Sequence, residues 1–234
     1  DAVKYSYPNE DFLNTILKNN IQKIVFKSGR TQIFNEATSF KKVSNVSNWD
    51  NVSVTTLEGE VKGLYKIGDL TIKSKGSGLG SASKVKDRAY RKLKIEAALL
   101  GANVILITDE TSVGNQLGNK YSAGQVAETQ MSGIAYSNAL PDFEILQQLL
   151  GGKQPVLVRI ESLGNNSSDY KSEEIPATQI ELSNVRKEGQ LIYVTASIQG
   201  AKGKDFRVVN INDNEIILME QHKGKISNYT LVII

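Results

Sequence analysis

The chain of 234 residues has no cysteine, one histidine and one tryptophan. Lacking cysteine, it has no disulfides, zinc ribbons, iron–sulfur clusters or thiol nucleophiles. A Ser-His-Asp triad would have to use His222, which lies in the turn-like stretch Glu220 to Gly224 and reads as an exposed turn histidine. No run approaches 18 consecutive apolar residues, so no membrane-spanning helix is expected. Charge of one sign is also scarce: the net charge is +3. That mild basicity, without aromatic side chains interleaved among the basic ones, makes nucleic acid an unexpected partner.

What is present is ordinary globular composition, 40% hydrophobic and 23% charged, enough for two modest cores. The chain starts at Asp1, which fits a mature exported protein whose leader has been removed. It would be periplasmic, extracellular or held at the outer membrane by a lipid anchor, with the cytoplasm as the alternative.

Hydrophobic periodicity predicts an α+β fold in two domains. Residues 1–152 read as an antiparallel sheet with one long packed helix and an N-terminal extension. In that extension Val3, Tyr5 and Tyr7 alternate as a strand, Phe12, Ile16 and Leu17 suggest a helix over Asn9 to Asn19, and Ile21 to Phe34 reads as strand, turn, strand. The clearest helix carries Ala82, Val85, Ala89, Leu93, Ala97 and Leu100 at three- and four-residue spacing, with Gly101 as its C-cap. Its other faces are charged. A short helix opening near Pro141 follows. Residues 153–234 read as short strands closing into a small SH3-like or OB-like barrel, with a flexible polar link near 162–175.

The helix and its exit, Tyr90-Arg-Lys-Leu-Lys-Ile-Glu-Ala-Ala-Leu-Leu-Gly-Ala-Asn-Val-Ile105, followed by the strand Met131-Ser-Gly-Ile-Ala-Tyr136, resemble the YbjQ-type family of heavy-metal-binding domains and the RcsF-like envelope lipoproteins. The resemblance spans Val61 to Ser137, about a third of the chain. It implies one helix packed on a curved antiparallel sheet, in a family with ring-shaped oligomers and stress-sensing envelope members. This segment has neither Cys nor His, so metal binding and disulfides do not carry over.

Two surfaces are candidates for function. Gly76, Gly78, Gly80 and Ser81 lie between a strand and a helix, as in a dinucleotide fold. However, the third glycine is one residue early for G-x-G-x-x-G, and Lys73 and Lys75 do not suit a doubly buried parallel strand. Lys84, Arg88 and Arg91, with other helix lysines and Trp49, could form a face for a polyanion or a protein partner, whereas a solvated face is the commoner outcome. Trp49 more often anchors a polar loop such as 35–51 than presents a platform. Acid pairs such as Asp109-Glu110 are not arranged for catalysis. No catalytic residue, metal site or cofactor is expected. The function these features imply is a non-catalytic envelope module for binding, assembly or sensing, acting through a protein or envelope component and possible as a homo-oligomer. The competing expectation is a nucleotide or anion binder that uses the Gly76 to Gly80 loop.

Overall fold

A computed structural model describes residues 2–7, 12–17, 21, 23–33, 40–76, 82–114 and 124–234. Contacts group the chain into two units, residues 1–40 and 41–234. In the first, β1 (Ala2–Tyr5) pairs antiparallel with β2 (Asn14–Leu17), and β3 (Lys23–Val25) with β4 (Thr31–Ile33). The helix expected across Asn9 to Asn19 is replaced, where described, by β2. Thr15 and Ile16 are β-branched, and they find partners in Lys4 and Val3.

The second unit contains a four-stranded sheet in the order β5 (Ser53–Thr55), β7 (Val104–Val113), β8 (Glu128–Ser137), β6 (Tyr65–Lys75). Helix α1 (Ala82–Leu99) joins β6 to β7, and β8 lies between these strands, antiparallel to both. The result is a split β-α-β unit. Gly101 ends the helix at φ +72°, and a Cβ there would come within 2.7 Å of the Val209 carbonyl oxygen. Positive φ and close approach to the neighbouring sheet therefore both require glycine.

Short α2 (Phe143–Leu150) is capped by Asp142, whose carboxylate accepts from the Glu144 and Ile145 amides. Pro141 thus precedes the cap rather than occupying the first turn.

Beyond α2 the strands do not close into a barrel. β9 (Pro155–Leu163), β10 (Lys171–Gln179), β11 (Leu182–Glu188), β12 (Leu191–Ala196), β13 (Asp205–Ile211), β14 (Glu215–His222) and β15 (Lys225–Ile233) make an open sheet ordered β10-β9-β15-β14-β13-β12-β11. Residues 164–170, expected as part of an interdomain link, are the hairpin connection between β9 and β10. The two edge strands are joined through Ile180 and Glu181 alone, so the sheet must coil until those strand ends meet. Closure would need β10 to pair with β11. Bulges at Glu174/Thr178 and Ser183/Arg186, with Pro176 lacking an amide donor, blunt both edges.

Two cores follow from this arrangement. One fills the coil with Leu146, Ile192, Phe206, Ile216, Leu218 and Leu231 among others. The other gathers Leu93, Ile95 and Leu99 of α1 with Ile105, Met131, Ile217 and Met219. Along Ile216-Ile-Leu-Met219, successive side chains enter alternate cores, which is why this strand is an unbroken apolar run. The core of residues 41–234 therefore runs across position 152, where the sequence pattern changes.

Candidate functional site

Helix α1 starts amphipathic and ends enclosed. From Leu93 to Leu99 its buried residues lie on nearly every face, because it packs on β6, β7 and β8 on one side and meets β9 and β15 on the other. Two charged residues fall in this enclosed stretch or at its edge. Lys92 is only 8% exposed, and Glu96, one turn on, is half-buried.

Both line a cleft of about 750 Å³ whose walls are α1, β6, the connection 164–168 and the end of the β14–β15 hairpin. Arg88, Lys92 and Glu96 supply the helical wall, Lys73 also lines the cleft, and Asn165 and Gln221 supply neutral polar groups. Spacing of four residues places Arg88, Lys92 and Glu96 along one helix face. The Lys92 ammonium donates to the Asn165 carbonyl, and Asn165 Nδ2 donates to the Lys223 carbonyl at 3.1 Å. Lys223 and Gly224 both have positive φ, as a two-residue type I′ hairpin turn requires. This turn therefore positions the loop that holds Lys92.

Burial acts against both charges. It lowers the Lys92 pKa despite the opposing attraction of Glu96, and it raises the Glu96 pKa despite Lys92. The exposed charges of β6 are paired locally. Glu128 pairs with Lys73 at 2.5 Å and Lys75 at 3.3 Å, and Lys66 pairs with Asp69 at 2.8 Å.

The residues expected from sequence are distributed differently. Gly78, Gly80 and Ser81 lie outside the described residues. Gly76 donates its amide to Ala127 across 2.7 Å, so it serves the sheet. β8 separates β6 from β7, so the two strands that α1 joins are not adjacent, unlike the dinucleotide arrangement; the sheet expected to be antiparallel is mixed, because β5 pairs parallel with β7.

The basic face is largely engaged within the molecule. Arg91 pairs with Asp169 at 2.5 Å and lies 4.9 Å from the Trp49 ring centroid. Lys86 pairs with Glu110 at 2.5 Å, and Arg88 donates to the Lys75 carbonyl at 3.1 Å. Lys84 is exposed. Trp49, in a 3-10 helix at Val46–Asn51, packs against the core and so anchors its segment. Among the described residues no group of three or more His, Asp or Glu could hold a metal, and no helix is long and apolar enough to cross a membrane.

Of the expected basic face, Arg88 and Lys92 line the cleft together with Lys73 and Lys75 of β6, while among the described residues Lys84, Arg91 and Trp49 are not in its lining. Sequence reasoning counted Lys92 and Glu96 only as charges of an exposed helix face and missed their burial, and it missed Asn165 and Gln221 altogether. A signal for the first two was present: Leu93, Ile95, Ala97, Ala98, Leu99 and Leu100 cover every face of the helix, so the charges among them could not all be solvated.

No family model, curated protein or solved structure matches the chain.

Proposed function

We propose that this protein is a non-catalytic binding module that takes a small polar ligand in the cleft between α1 and the connection 164–168. The observation that carries the reading is the placement of Lys92 and Glu96. A helix enclosed between two sheets gains most from apolar side chains, and burying opposite charges that do not neutralise each other is unfavourable unless something uses them. The cleft volume also falls within the range of small-ligand sites. The likeness of 61–137 to YbjQ-type domains belongs to the same proposal. Its support is the helix packed on the antiparallel strands β6, β8 and β7 with Gly101 at its exit.

Amide chemical-shift mapping of the full chain against monosaccharides, uronic acids, nucleotides, amino acids and inorganic anions tests this. The expected outcome is a set of responses centred on residues 88–96, 164–168 and 221–226. Responses centred on residues 76–84 would move the site to the glycine loop, and responses confined to β10 and β11 would make the protein a sheet-edge adaptor.

A further inference from the structure

We propose that the cleft selects an anionic, hydroxyl-rich ligand, the chemistry of an acidic sugar, with Arg88 and Lys92 holding the anion and Glu96 accepting from hydroxyl groups. This rests on the cleft being the binding site.

The charge pattern of the lining supplies the argument. Glu128 pairs with both Lys73 and Lys75, which leaves one net positive charge on the β6 wall, and Lys66 pairs with Asp69. Among the described residues, Arg88, Lys92 and Glu96 have no counter-ion within 4.0 Å. Two cations and one carboxylate follow one another along a single helix face, about 6 Å of rise apart. An anionic group is therefore favoured at the Arg88–Lys92 end and a hydrogen-bond donor at the Glu96 end. One sugar ring carrying an acid group spans such a separation.

Donor capacity fits the same ligand. Lys92 gives one hydrogen bond to Asn165 and Arg88 one to the Lys75 carbonyl. That leaves further donors on an ammonium and on a guanidinium fork suited to carboxylate or phosphate. The opposite wall is Asn165, Asn166, Ser167, Ser168 and Gln221, short neutral groups that exchange hydrogen bonds with hydroxyls. Among the described residues no aromatic side chain lines the cleft, which disfavours a nucleobase, since bases are held by stacking.

Calorimetric titration of the full chain with glucuronate, glucose 6-phosphate, glucose and inorganic phosphate separates the alternatives. Binding of glucuronate or glucose 6-phosphate is expected to exceed that of glucose by about tenfold or more, the weight of one hydrogen bond to a charged group. Comparing the two acidic sugars distinguishes carboxylate from phosphate as the anion. Arg88 is exposed, so Arg88→Gln leaves folding intact, and it should bring the acidic sugar down towards glucose. Glu96→Gln should weaken the acidic sugars without weakening inorganic phosphate. Equal affinity for glucose and glucuronate, or no effect of Arg88→Gln, would overturn the anion selectivity while leaving the cleft as the site. Binding of none of the four probes would also overturn it, and the shift mapping described above would then decide the broader reading separately.

Discussion

Glu161 on β9 is 4% exposed, in a row of side chains running Arg207, Met219, Asn228, Glu161, Ser172 across five strands. The adjacent row on the same face reads Asn210, Ile217, Thr230, Arg159, Glu174. Asn228 and Thr230, at 1% and 0% exposure, join Arg159 and Glu161 in a polar island, in which Arg159 Nε, Glu161 Oε2, Asn228 Oδ1 and Thr230 Oγ1 have no protein hydrogen-bond partner. Burial raises the Glu161 pKa, with Arg159 opposing and Glu174 and Glu215 adding to the rise. A raised carboxyl binds its proton more tightly folded than unfolded. Its contribution to stability is therefore greatest at low pH and is lost as pH rises from the unfolded pKa through the folded one. Glu161→Gln should flatten this fall in the urea midpoint as pH rises above the ordinary glutamate pKa of about 4.3. An unchanged pH profile would show that Glu161 does not titrate in that range. Glu96, also raised by burial, contributes with the same sign.

At the scale of elements, Arg207 ties the seven-stranded sheet to the end of α1. Its buried guanidinium donates to the Leu100 carbonyl at 2.7 Å and the Ile67 carbonyl at 3.1 Å. The first acceptor belongs to the end of a helix, where carbonyls lack intrahelical partners and a cation suits the dipole. Arg207→Ala leaves both carbonyls without that donor and opens space between the layers, so a loss of about 3 kcal/mol in urea unfolding is expected. A loss below about 1 kcal/mol would mean that water replaces the guanidinium.

Which elements were legible in the sequence depends on how one-sided their burial is. α1, β6, β8 and the hairpin turn at Lys223-Gly224 announce themselves through spacing or turn chemistry. Edge strands β10 and β11 do not: β10 has only Ile175 half-buried, so it shows no alternation and reads as a polar link. The run Ile216-Ile-Leu-Met219 is plain as a strand, but its meaning, burial on both faces, emerges only with the helix layer beside it. Lys92 and Glu96 were visible as charges on a helix, and the usual expectation that such charges face water concealed the cleft. The connection carrying Asn165 reaches Lys92 from 73 positions away, a proximity that no local pattern encodes.

For the whole molecule, residues 41–234 place one helix between a four-stranded split β-α-β sheet and a coiled seven-stranded sheet. The layers are mostly apolar where they meet, and the cleft lies where they part. In this account Lys92 and Glu96 are retained for a ligand at the expense of stability, since buried charges replaced by apolar side chains of similar size are commonly neutral or stabilising. The most direct measurement is the urea unfolding free energy of the Lys92→Met, Glu96→Leu double variant against the parent at neutral pH. The account predicts a gain of about 1 kcal/mol or more. A loss of about 1 kcal/mol or more would contradict it, making the two charges part of what holds the layers together.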